Sequence, residues 1–447
     1  MVDISAPIYT TYPLCHYRVV PSPILISNDR HAREVEATIA ALEDALSSEQ
    51  ALRSIVEGLP KEVIEGVRRS LRTERQELTT RLDAYRAAKG GDYGPLKAQV
   101  GSDPGAFLIA TRITKGLSQK DLARRLGLRE QMIQRWEAER YRSISLSNFQ
   151  KVAQTLGVKW EMKESASIAE EWGISYDVTR DDLSKVVRHA RTHGWLTSSK
   201  DSDENAIATL VRYVGDHVIR HGTPSLLRTG LRPNDRPENW SLLSWKAQIT
   251  RRAETVIESN RVRYQPMKVS WLIDLVRLSP LEEGPALACE LLLQNGIVVV
   301  VEPQIAGMSL DGASFLVDEI PVIGLTLLRD SMDNFWFTLL HEVAHIVLHY
   351  RTGLAAGFFD DFSEDEFDEF ETEANRFASN LLIPEEAWAR SPARISKKPE
   401  PIERFAQSLG VHPAIVFGRV RMERNDYSIF SDRIGRGLVR KQLLPRT

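Results

Sequence analysis

The chain is poor in cysteine: in 447 residues there are only Cys15 and Cys289, and no CxxC pair. That excludes a disulfide framework and a thiolate metal cluster, leaving both thiols the role of small apolar residues. Long hydrophobic runs are missing as well. The longest evident one, Ile297 to Val301, falls far short of the roughly 20 residues that span a membrane. The first residues lack the basic stretch and apolar segment of a secretory signal, so a cytoplasmic location is expected, with no membrane partner. Neither sign of charge prevails, with 58 Lys and Arg against 61 Asp and Glu. Whole-chain charge therefore points to no partner, and only its local distribution is informative.

What is present is a soluble globular composition, 42% hydrophobic and 27% charged, on a chain too long for one ordinary core. Its most informative stretch runs from Asp333 to His349. Asp333 or Asn334 can cap a helix, and no Gly or Pro interrupts the chain from there to His349. Phe335, Trp336, Leu339, Leu340, Val343, Ala344, Ile346, Val347 and Leu348 surround nearly the whole circumference, which describes a helix buried on most sides. Polar groups inside it must be satisfied, and a cation held by His341 and His345 would do so, because residues four apart stack on one face. Glu342, one step round, reaches a water held by that ion. This is the His-Glu-x-x-His arrangement of zinc peptidases, in which Zn2+ acts as Lewis acid and the Glu takes the water's proton. A metzincin continuation is excluded, because positions 348 and 351 hold Leu348 and Arg351.

A third ligand is sought in Glu371 to Pro384. Glu373, Phe377 and Leu381 share one helical face, which places Glu373 inward and turns Glu371 roughly the other way. The expected metal set is His341, His345 and Glu373, with Glu371 the alternative third ligand and Glu342 catalytic. His349 and Tyr350 are candidates for oxyanion stabilisation. The pair of motifs, His-Glu-Val-Ala-His-Ile-Val-Leu-His and Glu-Ala-Asn-x-Phe-Ala-x-x-Leu-Leu-x-Pro, resembles the ImmA/IrrE metallopeptidases over roughly residues 242 to 427. The resemblance implies a gluzincin-like fold and action on regulatory proteins.

In chain order, residues 1–27 with Pro7, Pro13, Pro21 and Pro23 read as an irregular leader. Residues 28–100 read as a helical hairpin: Val35, Ile39, Leu42 and Leu46 form one stripe, and Ile64, Val67, Leu71, Leu78, Leu82 and Tyr85 form another. Packing within the chain and homodimerisation both suit such stripes. Residues 101–160 carry eleven Lys or Arg against five Asp or Glu, the footprint of a phosphate-backbone binder. Within them, Ser118 caps a helix, Gly127 permits a left-handed turn, and Ile133 and Trp136 pack a second helix back. This resembles the helix-turn-helix of Xre/Cro-type repressors. If the second helix enters the major groove, Arg129, Gln131, Gln134 and Arg135 reach base edges or phosphates, and Gln119 positions the unit on phosphate. Residues 28–160 together resemble HigA-type antitoxins, which bind an operator and often a toxin.

Residues 161–239 read as a helical linker in which His189, His193, His217 and His221 are scattered, with no second metal site expected. Residues 240–430 form the metallopeptidase region, with strands near Ile297–Val301, Phe315–Val317 and Val322–Leu328; the last is a candidate edge for a bound peptide. The acidic run 360–370 reads as a loop or lid, and residues 431–447 as a solvated basic tail. The expected fold is mainly α and multidomain: a helical hairpin, an Xre-type helix-turn-helix and an α+β metallopeptidase domain with a small sheet. The expected function is a DNA-binding regulator carrying a zinc-dependent endopeptidase that cleaves a repressor- or antitoxin-like partner. The alternative is a non-proteolytic HigA-type repressor that uses the metal region for sensing or for binding a partner such as a toxin.

Overall fold

A computed structural model describes residues 25–100, 103–138, 140–141, 144–159, 180–196, 202–221, 240–266, 268–317, 319–350, 354 and 364–444. Nearly all of the Pro-rich leader, most of the boundary around Pro224 and Pro233, and the first part of the acidic run lie outside these residues.

The N-terminal helices are α1 (Asp29–Ser47), α2 (Glu49–Val56), α3 (Lys61–Lys89) and the short α4 (Gly94–Ala98). Asn28 caps α1 through its side chain, which accepts from the His31 amide, and Ser48 caps α2 in the same way. In α3, Val63, Val67, Leu71, Leu78, Leu82 and Tyr85 are all buried. Its C-terminal half packs on α1, while its N-terminal half lies on the helices of the C-terminal region. The stripe that suited a dimer is thus covered inside the chain.

Next come α5 (Pro104–Thr114), α6 (Gln119–Leu126), α7 (Glu130–Ala138) and α8 (Leu146–Thr155). Ser118 and Asp121 form a reciprocal capping box at α6, and Gly127 ends that helix at φ +67°, where a side chain would be strained. A helix–turn–helix results. Helices α9 (Arg180–Thr192) and α10 (Asp203–His221) complete the N-terminal half.

The C-terminal region contains α11 (Trp240–Asn260), α12 (Trp271–Arg277), α13 (Gly284–Gln294), and strands β1 (Val298–Val301), β2 (Gly312–Val317) and β3 (Ile320–Leu325). Then come α14 (Met332–His349), α15 (Glu364–Leu382), α16 (Glu385–Ala389), α17 (Pro399–Leu409), α18 (Pro413–Glu423) and α19 (Leu438–Leu443). The sheet order is β1-β3-β2, with β1 parallel and β2 antiparallel to β3. The final strand is therefore central rather than an edge, and β2 and β1 are the outer strands.

Side-chain alternation divides the sheet between two cores. Val298, Val300 and Val322 pack with Trp245 and Ile249 of α11 and with Val186, Val187 and Ala190 of α9. Val301, Ile323 and Leu325 face the other way, into the core that holds α14. Gly324 allows the first of these packings, since a Cβ there would lie 2.6 Å from the Trp245 ring. The basic tail is not simply solvated. Val439 of α19 is fully buried, the Val439 and Arg440 amides donate to Asp330, and the Arg440 guanidinium donates to the Leu327 carbonyl.

Candidate metal centre and DNA-facing helix

Helix α14 is buried on almost every side, as its apolar circumference required. Its N-cap is Ser331 rather than Asp333 or Asn334. His341 and Glu342 have no exposed surface, His345 1% and His349 2%. One turn apart on one face, His341 and His345 bring their Nε2 atoms to 3.0 Å.

The carboxylate that meets this pair is Glu371 of α15. Its Oε2 lies 3.3 Å from His341 Nε2 and its Oε1 3.3 Å from His345 Nε2. Glu373, expected in that place, instead sets Oε2 3.1 Å from His349 Nε2 and pairs through Oε1 with Arg69 of α3. The reason is that α15 has two inward stripes. Glu371, Ala374, Asn375 and Ala378 face α14, where small residues permit close approach. Glu373 and Phe377 face α3, near Gly66. Following the large apolar residues selects the wrong stripe. The signal for the right one was Glu371 with Asn375, four residues on, flanking the alanines.

The hydrogen bonds fix the tautomers. His341 Nδ1 lies 3.0 Å from Asn375 Oδ1 and donates to it, so in the neutral ring it is Nε2 that carries the lone pair. His349 Nε2 donates to Glu373, so its Nδ1 accepts from His345 Nδ1 at 3.2 Å, and His345 Nε2 also carries a lone pair. With both rings neutral, two lone pairs and a carboxylate would converge, with the buried Glu371 Oε1 3.3 Å from His345 Nε2. Such a cluster is repulsive without a positive charge at its centre.

The ionisation tendencies agree. Burial pushes the Glu371 carboxyl up, but the neighbouring His341 and His345 rings outweigh it and hold it down at about 2. Burial lowers His345 to about 3. Burial also disfavours a charged His341, but Glu371 and Glu342 overcome it and raise that pKa, so a proton there supplies the missing charge. A divalent ion would supply it better. With bonds of about 2.0–2.1 Å, the edges of a tetrahedral zinc site are about 3.3–3.4 Å, close to the separations found here.

The remaining candidates divide. Gly312 at the start of β2 comes so close that a Cβ would sit 3.1 Å from Glu342 Oε1, bringing an outer strand against the proposed general base. Of the two oxyanion candidates, Tyr350 gives its hydroxyl to the Glu319 carbonyl at 2.8 Å, and His349 is engaged with His345 and Glu373. The acidic run continues directly into α15, where residues 364–370 are helical rather than looped.

In the N-terminal half, Arg129, Gln131, Gln134 and Arg135 are exposed at the start and along the outer face of α7. Gln119 is not available to phosphate. It is buried, donating to Glu137 Oε2 at 2.8 Å and accepting from Asn28 at 3.3 Å. Glu137 in turn holds Arg112 in a bidentate pair of 2.6 and 2.7 Å, and Arg112 donates to the Ser27 carbonyl. Gln119 therefore ties the helix-turn-helix to the start of α1.

Fold and site together describe a helix-turn-helix unit joined to a domain that carries a candidate metal centre. A family model for "Helix-turn-helix" matches residues 108–162, and one for "IrrE N-terminal-like domain" matches residues 294–419. The chain joins an Xre-type helix-turn-helix to an ImmA/IrrE-like domain. No curated protein matches significantly, and no solved structure does. Among the described residues, no helix is long and apolar enough to cross a membrane.

Proposed function

We propose that this chain is an operator-binding regulator whose C-terminal region is a zinc-dependent endopeptidase acting on a regulatory partner protein. The observation that carries this reading is the convergence of His341 Nε2, His345 Nε2 and the Glu371 carboxylate, at 3.0–3.3 Å from one another, beside buried Glu342. His341, His345 and Glu371 would hold the ion, with Glu371 taking the place that periodicity alone assigns to Glu373. When bound, Zn2+ supplies Lewis acidity to the peptide carbonyl and acidifies the attacking water. Glu342 accepts that water's proton and delivers it to the departing amide nitrogen. Asn375 and His349 fix the two imidazole orientations, and Glu373 fixes His349. An extended substrate laid along outer strand β2 would pass Glu342 at Gly312, with main-chain hydrogen bonds setting its register. Arg129, Gln131, Gln134 and Arg135 would contact the DNA.

The deciding experiment is Glu342→Gln in the full chain. Metal content and operator binding should persist while cleavage of a co-purified partner stops. If the wild type cleaves no partner while the complex and operator binding persist, the non-proteolytic HigA-type reading replaces this one.

A further inference from the structure

We propose a second divalent transition-metal site, formed by His189, His193 and Glu302 on the face of the sheet opposite α14. One ligand atom from each of the three lies within 4.8 Å of the others. His189 sits on α9 and His193 just beyond it, one helical turn away, with ring centroids 4.2 Å apart. The His193 amide bonds to the His189 carbonyl, so the turn continues through both. Glu302 comes directly after the last residue of β1 and is 2% exposed.

The surroundings distinguish this cluster from an ordinary buried ion pair. Glu302 is already satisfied: Arg252 approaches Oε2 at 3.0 Å, and the Trp195 indole donates to Oε1 at 3.1 Å. It does not need a proton from His189, whose Nε2 stands 3.5 Å away, beyond a normal hydrogen bond to an oxygen already in use. His189 is 9% exposed, and its Nε2 is buried with no hydrogen-bond partner. Leaving such an atom unsatisfied is costly, and a cation shared with His193 and Glu302 would satisfy it. The carboxylate is held rigidly, because Trp245 bonds the Glu302 carbonyl and Arg252 the Val301 carbonyl. His193 is exposed, so solvent reaches the fourth position. Two imidazoles and a carboxylate suit Zn2+ or a neighbouring first-row ion. The ion would clamp α9 to the end of β1, a structural or sensing role separate from Glu342.

This site shares no ligand with the proposed catalytic centre, so the two can fail separately. The test is Zn2+ stoichiometry of the full chain after a chelating wash and equilibrium dialysis, with Co2+ absorption as a second readout. Wild-type protein should bind two equivalents. His193→Ala, an exposed position, should bind one while keeping the Glu342-dependent cleavage. His341→Ala/His345→Ala should also bind one, and its Co2+ spectrum should be lost when His193→Ala is added. A wild-type stoichiometry of one that survives His193→Ala overturns the second site. A stoichiometry of one that survives His341→Ala/His345→Ala supports it and overturns the catalytic centre instead.

Discussion

His349 Nε2 lies 3.1 Å from Glu373 Oε2 and His349 Nδ1 meets His345 Nδ1 at 3.2 Å, so Glu373 reaches, through His349, the ring whose Nε2 faces Glu371. In the proposed metal centre Glu373 would act at one remove, through His349, and Glu371 directly. The two carboxylates are two residues apart, yet substitutions should separate them sharply. Glu371→Gln is expected to abolish stoichiometric zinc binding, whereas Glu373→Gln should weaken it by about 10–100-fold, as for an orienting partner. Competition against a chromogenic chelator measures both, and the reverse order would restore Glu373 as the ligand.

Metal affinity should depend on pH in one direction only. Glu371 and Glu342 raise the pKa of His341, while burial keeps His345 neutral. A proton on His341 competes with the ion, so affinity is full above the raised His341 pKa and falls as pH drops through it. Calorimetric titration in two buffers of different ionisation enthalpy should reveal proton release on zinc binding near neutral pH. A bound ion would stabilise the fold by mass action, about 2.7 kcal/mol at a free concentration 100 times its Kd, so a chelator should lower Tm.

Gly312→Val tests the strand beside the proposed base. Its first added carbon would lie 2.9 Å from Thr338 Cγ2 and 3.1 Å from Glu342 Oε1. Displacing Glu342 by about an ångström should lower kcat by about 10²-fold. Zinc content should be unchanged, because no ligand is touched.

Arg112 and Glu137 form a bidentate pair, with both residues at most 3% exposed. Removing one partner strands a buried charge, so Arg112→Ala should cost about 3–5 kcal/mol in denaturant unfolding. Arg112→Met combined with Glu137→Leu should cost less than the single change. Equal losses would show that packing, not charge, dominates there.

On DNA, Arg129→Ala and Arg135→Ala should each reduce operator affinity, and a phosphate-contacting Arg should also lower the salt slope by about one. Gln119→Ala should instead destabilise the domain and leave the salt slope unchanged. Fluorescence anisotropy at several salt concentrations, beside a thermal melt, distinguishes the two effects.

Local signals alone determined much of this protein. Ser118 and Gly127 mark a cap and a left-handed turn that need only neighbouring residues, and the four-residue spacing of His341 and His345 forces them onto one face of any helix. The all-round apolar character of α14 likewise announced its burial. Tertiary structure decided what periodicity cannot rank. Helix α15 has two inward faces because it touches two partners, α14 and α3, and only their arrangement assigns Glu371 to the histidine pair and Glu373 to His349 and Arg69. The same holds for β3, whose central place depends on pairing with β1 and β2, and for Gln119, which is buried by the chain near Asn28. It holds too for His189 and His193, whose relation to Glu302 arises where α9 crosses the end of β1, more than a hundred residues away in sequence. Spacing along one helix is set by backbone geometry, whereas contacts between elements depend on how the whole core closes.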